Sequence, residues 1–553
     1  MTEPRTPSKI DAIAEGWVRT MTELDPTIAT YIGVPGKLGE YGDYSPAGHQ
    51  AFADARKKVQ RKLKAADAVD SVDEVTKTDL LAELGLADEF HAAKLHLRDL
   101  NVLASPAQEI REVFDLMPTT TVEDWTDISG RLGNLPTAVD QYIETLRQGV
   151  QDGVVPARRQ VRAVIEQTER HASADGFFPH FVKSVPGTVP ESLRADLERG
   201  AAASSSAYRR LTEFLTTELD AAATETDAVG RDLYTLYSRS FLGATIDLDE
   251  TYEWGIDELA RMTAEQVAIA HEIRPGASIE EAIAILDADP AGKLHGTDAL
   301  QRWMQQLSDT AVEELSRTQF DIPDEIKRLE CMIAPTQDGG IYYTGPSDDF
   351  SRPGRMWWSV PVGETEFSTW RETTTVYHEG VPGHHLQIGQ AVVNRGQLNT
   401  WRRQLAGTSG HAEGWALYAE RLMQELGYLD DPGDRLGMLD AQRMRAARVV
   451  LDLGVHLGKR SLDGTGEWDF DYALAFFRSN YHETDATTRF EVNRYFGWPG
   501  QAPSYKVGQR IWEQLRDERK ARDKKSFDIR EFHREALALG GVGLDTLRSA
   551  LLT

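Results

Sequence analysis

Apolar residues return every three or four positions through most of the first 320 residues, the period of a helix with one buried face. Ile10 to Leu24, Asp73 to Leu100, Val122 to Gln151, Arg158 to His171, Glu191 to Glu218, Leu248 to Ile273 and Ala299 to Phe320 carry that pattern. Pro35-Gly36, Pro106, Pro156, Pro186-Gly187, Pro190 and Pro275-Gly276 separate the segments. Ala201 to Ala207 is low in complexity but lies inside a helical pattern, so it reads as helix and not linker. Near residue 326 the pattern changes. Ile326 to Ile333 reads as a strand, followed by a turn at Gly339-Gly340, then Ile341-Tyr342-Tyr343, then Met356 to Val360 after Pro353-Gly354. The expectation is an all-α fold, a large helical body with a small β element. Residues 1–325 are expected to form a scaffold and residues 326–553 the chemical region, in one continuous structural unit.

Composition narrows the partners. At 553 residues, length does not choose between several domains and one body around a cleft. The net charge of −27 excludes more, because nucleic acids and anionic membranes bind basic surfaces. The one basic run, Arg516 to Lys525, is interrupted by Asp517, Glu518 and Asp523 and reads as a solvated helix end. A lone cysteine, Cys331, rules out an internal disulfide and a thiolate-rich metal site, leaving histidine and carboxylate as ligands. Met1 to Asp25 is charged throughout, without an apolar stretch of signal-peptide length, and no run of about 18 apolar residues occurs. A cytoplasmic protein is expected, with a homodimer as an admissible assembly.

The chemistry centres on Tyr377-His378-Glu379-Gly380-Val381-Pro382-Gly383-His384-His385-Leu386-Gln387. Neutral imidazoles bind Zn²⁺, and a neighbouring carboxylate can deprotonate the water such an ion holds. In the common His-Glu-x-x-His arrangement the histidines are four apart on one helical face. Here the fourth residue after His378 is Pro382. On an unbroken helix His384 falls about 600° round and His385 about 700° round, the latter about 10.5 Å along the axis. Nitrogens each about 2.0 to 2.1 Å from one zinc cannot stand so far apart, so regular helix cannot make the site. Pro382, with Gly380 and Gly383, predicts a break between Gly380 and Gly383 that returns His384 to the second-ligand position, with His385 the alternative. His-Glu also occurs at His271 and His482. His271 has no second histidine nearby and reads as a surface residue.

The same segment resembles the signature of the DUF885 family, grouped with the gluzincin metallopeptidases. Further blocks resemble it in the same order: Glu413 to Glu420, Asp452 to His456, Glu491 to Tyr495, Pro499 to Ala502 and Tyr505 to Gly508. The resemblance is densest over roughly the last 240 residues. It implies a mostly helical peptidase fold with a deep cleft, and does not supply the substrate. In gluzincin-like enzymes a strand edge beside the metal helix binds extended peptide. Met356 to Val360 occupies that place in sequence, with Trp358 a candidate substrate contact; Trp357 and Trp358 equally suit packing.

Roles follow for the remaining residues. A catalytic zinc needs three protein ligands, and Glu413 on the next polar-faced helix completes His378 and His384. Glu420, seven residues on, lies on the same face and braces the set. His411 either orients Glu413 or caps that helix. Glu379 is the expected general base. Tyr505, His456 and Tyr481-His482 are candidate donors to the developing oxyanion, with Asp452 placed to fix the His456 tautomer. His385 is a further candidate substrate contact. Arg489 and Arg494 either clamp a peptide carboxylate or pair with acids such as Glu491. The expected function is a zinc peptidase, one ion per chain, acting on short peptides or amides. A metal-dependent amidase acting on a specialised metabolite and a helical peptide-binding protein with a vestigial site are the alternatives. Mn²⁺ or Co²⁺ suit the same ligands.

Overall fold

The computed structural model describes residues 4–334 and 340–552. Helices hold 69% of the residues and strands 4%, so the chain is all-α with a small β element. Local chemistry sets the helix ends. α1 (Val122–Asp152) begins where Thr121 and Asp124 form a reciprocal capping box and stops at left-handed Gly153. Its apolar face, including Trp125, Ile128, Leu132, Leu135 and Val139, packs on α2 (Glu191–Phe214). The Ala201–Ala207 stretch lies inside α2, and its small side chains let α1 come close: Ser204 Oγ donates to the Leu132 carbonyl at 3.3 Å.

Some proline positions that look like separators are helix starts. Pro26, Pro46 and Pro106 each occupy the first turn of a helix, where the missing N–H has no partner to lose. The segment expected from Asp73 to Leu100 divides into a helix at Ser71–Ala92 and a tight turn at Leu95–Arg98, because Lys94 takes a left-handed φ of 58°. Leu248 to Ile273 forms α3 (Leu248–Ile273), opened by the Asp247 carboxylate accepting from two backbone N–H groups.

Beyond it come β1 (Lys293–His295), α4 (Thr297–Thr318), β2 (Leu329–Ile333), β3 (Ile341–Thr344), β4 (Gly354–Trp358) and β5 (Glu366–Ser368). β2 begins three residues after Ile326, which ends a short turn at Asp324–Ile326. Of the turn at Gly339-Gly340, Gly339 lies outside the described residues. The sheet order is β2-β4-β3, with β4 parallel to β2 and antiparallel to β3; β1 and β5 form a separate pair.

The chain then builds α5 (Thr369–Glu379), α6 (His384–Val393), α7 (Ser409–Glu425), α8 (Pro432–His456), α9 (Asp485–Gly497) and α10 (Ser504–Asp523). α8 is buried along nearly its whole length, lying against α3 on one side and α5 and α7 on others. One buried apolar cluster runs from Tyr234 to Leu551, so the interior crosses residue 325 without a boundary. Among the described residues no helix is long and apolar enough to cross a membrane.

Candidate metal centre

α5 ends at Glu379 and α6 begins at His384. Between them Gly380 (φ −94°, ψ −127°) and Gly383 (φ −72°, ψ −132°) leave helical geometry, and the Val381–Pro382 peptide is cis. The interruption falls where proline and glycine predict it, but as two separate helices and not one bulged helix. The Gly383 N–H donates to the Tyr377 carbonyl and the His385 N–H to the Gly380 carbonyl, both at 3.1 Å. A Cβ on Gly383 would lie 1.9 Å from the His378 carbonyl oxygen, so only glycine fits this fold-back. Trp415 of α7 donates its indole N–H to the Pro382 carbonyl at 2.8 Å, fastening the connection to α7.

This connection brings His378, His384 and Glu413 together, with their ligand atoms all within 4.8 Å of one another. Glu413 Oε2 lies 3.3 Å from His378 Nε2 and 3.6 Å from His384 Nε2. Donors each about 2.0 to 2.1 Å from a tetrahedral ion stand about 3.4 Å apart, so the spacing fits a zinc ligand set. Glu413 Oε2 is buried yet has no hydrogen-bond partner among the described residues, an orphaned acceptor between two imidazoles. The carboxylate as a whole keeps 22% of its surface open.

Behind the set, His378 Nδ1 meets Glu420 Oε1 at 2.7 Å, which leaves Nε2 as the lone-pair nitrogen facing Glu413. The other Glu420 oxygen accepts from Gln442 of α8 at 3.1 Å. Gln442 accepts in turn from Lys506 of α10, and Lys506 pairs with Glu258 of α3, each at 3.1 Å. Five helices are thus linked through one polar chain.

The imidazoles and carboxylates shift one another strongly. Burial alone would lower the His378 pKa, but the adjoining carboxylates of Glu413 and Glu420 outweigh it and hold the ring up to about 10. Burial would raise Glu413, yet the two imidazoles keep it well below the usual carboxylate range. Glu379 is buried beside them, and its carboxylate makes no hydrogen bond or ion pair among the described residues.

Tyr505 opens α10 and faces this cluster. α7 and α10 cross closely because glycines meet: a Cβ on Gly414 would lie 2.4 Å from the Gly508 carbonyl carbon. Burial and then the charge of Glu413 raise the Tyr505 hydroxyl above its ordinary value, so it keeps its proton. Arg448 and Arg445 lie over its ring, 5.2 and 5.7 Å from the centroid.

Several expected site residues lie elsewhere. His385 is fully buried with both nitrogens engaged, Nδ1 to Tyr343 Oη at 2.9 Å and Nε2 to the Ile326 carbonyl at 2.8 Å, and so holds the sheet against α6. His456 is fully buried at the far end of α8, where Nε2 meets the Tyr495 carbonyl at 2.9 Å. Asp452 makes no hydrogen bond to it: Oδ1 stands 4.0 Å from Nε2, which is engaged by the Tyr495 carbonyl, while Oδ2 accepts from Tyr234 at 2.6 Å and the Gly500 N–H at 2.9 Å. Arg489 is exposed and pairs with Asp485 at 3.0 Å. Arg494 pairs with Glu491 at 3.2 Å and donates to Gln501, the ion-pair alternative to a clamp. Trp358 is 3% exposed inside the β2–β4 apolar cluster and so packs the sheet. β4 is the central strand with both edges occupied, so a peptide cannot add to it; the free edges belong to β2 and β3.

His411 is buried, and Thr408 rather than His411 caps α7. His482 meets Asp440 at 2.7 Å. Arg445 was not among the expected residues. Its signal is a run of polar residues at three-residue intervals, Gln442, Arg445 and Arg448, along one side of α8. The meeting of Gly410 and Gly414 with Gly508 was likewise legible only as small residues one turn apart.

A cavity of about 1060 Å³ is lined by Gln387, His411 and Ala412 and by Trp357 and Thr344 of the sheet; His378, His384 and Glu413 are not in its wall. A larger one, about 1370 Å³, is walled by Phe320, Leu386 and Leu537, away from the three clustered side chains.

No curated protein matches the chain. Solved structures do, among them these two. One, described as a "putative lipoprotein" from Colwellia psychrerythraea, is 21% identical, with 98% of each chain covered and a TM-score of 0.83. The other, described as a "putative lipoprotein of unknown function" from Shewanella oneidensis, is 17% identical, covering 99% of this chain and 100% of that one, with a TM-score of 0.77. At these identities the likeness establishes the fold and nothing finer. Together with a match that spans residues 26–551, nearly the whole molecule, this makes the chain a member of the family described as bacterial protein of unknown function, DUF885.

Proposed function

We propose that the protein is a zinc-dependent hydrolase of peptide or amide bonds in short substrates, with one ion per chain held by His378, His384 and Glu413. The observation that carries this is the orphaned Glu413 oxygen 3.3 and 3.6 Å from two imidazole nitrogens, beside the uncommitted carboxylate of Glu379. Zinc, when bound, supplies a Lewis acid that polarises the scissile carbonyl and acidifies water. Glu379 accepts the proton of the attacking water and passes it to the leaving amine. Tyr505 retains its proton and donates a hydrogen bond to the carbonyl oxygen as its charge grows. Glu420 holds the His378 ring in its tautomer and orientation throughout.

A peptidase on short peptides is the first reading. An amidase acting on a specialised metabolite would use the same side chains, and a panel of peptides and acylamino acids separates the two. We place the reaction in the cytoplasm; because the solved relatives are described as lipoproteins, fractionation of the producing cells is the check. The decisive measurement is metal content after dialysis, by elemental analysis. About one zinc per chain, with peptide hydrolysis lost in Glu379→Gln, is the expected result. No metal, and none taken up on titration with zinc, would overturn the reading in favour of a peptide-binding protein.

A further inference from the structure

We infer that Arg445 anchors a substrate carboxylate beside the metal centre, so that preferred substrates carry a free carboxylate close to the bond that is cut. This rests on the hydrolase reading above.

The argument starts on α8. Gln442 faces the centre, since its amide donates to Glu420. Arg445 follows three residues later on the same helical face, about one turn along. Its guanidinium lies over the Tyr505 ring, and its charge, after the His378 hydrogen bond, helps hold the buried Glu420 carboxyl down. Yet Arg445 itself makes no ion pair among the described residues. One amino group donates to the Ala441 carbonyl at 3.1 Å, and the buried Nε has no hydrogen-bond partner.

Its neighbours differ. Arg448 is satisfied by Glu491 at 2.9 Å and Tyr495 Oη at 2.7 Å. Arg443 is satisfied by Asn480, Gln266 and the Ser479 carbonyl, and Arg494 by Glu491 and Gln501. Among the described residues Arg445 has one hydrogen-bond partner, where Arg443 on the same helix has three and Arg448 two. A partly desolvated guanidinium with free N–H groups asks for an anion, and carboxylate matches its fork bidentately. That anion is either the C-terminal carboxylate of a short peptide or an acidic side chain.

The test uses full-length, zinc-loaded Glu379→Gln protein, which binds without turnover. Calorimetric titration compares N-acetylated dipeptides as free acids, the matched C-terminal amides, and amides that carry Asp or Glu. We expect free acids, or acidic amides, to bind at least tenfold more tightly than neutral amides. Arg445→Gln should abolish that ratio while zinc stays near one per chain; tight binding by the acidic amides identifies the side chain as the source. If Arg445 only balances the charge of Glu420, its removal changes zinc affinity and leaves the acid-to-amide ratio unchanged, and the inference fails. Equal binding of acids and amides by the parent overturns it as well. If Arg445→Gln does not fold, Arg445→Met, which keeps the apolar stem, is read the same way. Failure to load zinc, by contrast, defeats the hydrolase reading.

Discussion

At the scale of single residues, the centre separates side chains that hold from a side chain that acts. His378, His384, Glu413 and Glu420 are committed to one another, while the neighbouring Glu379 carboxylate is buried and uncommitted. Glu379→Gln should therefore lower kcat by about 10² to 10⁴-fold, the usual contribution of a proton-transfer group, with zinc content unchanged by elemental analysis. His385→Ala should do the reverse. It removes the partner of Tyr343 and of the Ile326 carbonyl in a dry interior, so calorimetric unfolding should show a loss of about 2 to 4 kcal/mol with zinc stoichiometry retained. The difference between the two was legible only in part. His378, Glu379 and His384 lie within seven residues, so their chemistry could be read from one short run. Asp452 and His456 have an equally suggestive spacing, but the Tyr495 carbonyl, 39 residues on, takes the imidazole nitrogen first. Spacing states which side chains can meet, and competing partners decide which do.

At the scale of elements, two glycine-dependent approaches build the centre. The α5–α6 connection folds back so tightly that Gly383→Ala drives a Cβ into the His378 carbonyl. We expect a loss of about 3 kcal/mol or more and at least partial loss of zinc, measured on the same preparation by thermal unfolding and metal analysis. The brace from α8 acts more gently: Gln442→Ala should leave the fold intact and weaken zinc affinity by about 10- to 100-fold in a competitive chelator titration. The break between α5 and α6 was visible in the sequence because proline and glycine impose local geometry. The order β2-β4-β3 was not, since pairing partners are set by long-range packing and the last strand in sequence need not lie at an edge. Likewise, prolines that open helices at Pro26, Pro46 and Pro106 look the same in sequence as prolines that end them.

At the scale of the whole molecule, pH links folding to the centre. In metal-free protein His378 is held up to about 10 against an ordinary value near 6.5. A raised pKa adds stability that is complete below about 6.5 and fades as pH climbs towards 10. Lys506, pushed down to about 8 by burial, works with the opposite sign between about 8 and its ordinary 10.5. Melting temperatures of chelated and zinc-loaded protein, compared at each pH from 6 to 10, cancel the lysine contribution. The gap between them should widen as pH rises, because zinc replaces the departing proton. The all-α class followed from periodicity alone, since burial of one helical face is the same constraint in sequence and in space. Which residues carry the interior across residue 325 did not, because a shared core leaves no mark at the point where the chain passes through it.

The polar chain from His378 through Glu420, Gln442 and Lys506 to Glu258 has a consequence for inheritance. A codon change at Glu258, 120 residues before the histidine motif, strips a buried ammonium of its counter-charge and is felt at His378. On the proposed function, such a lesion would behave genetically as an allele of the metal centre, and its suppressors should arise at Lys506 or Gln442 before they arise among Glu258's own neighbours in sequence.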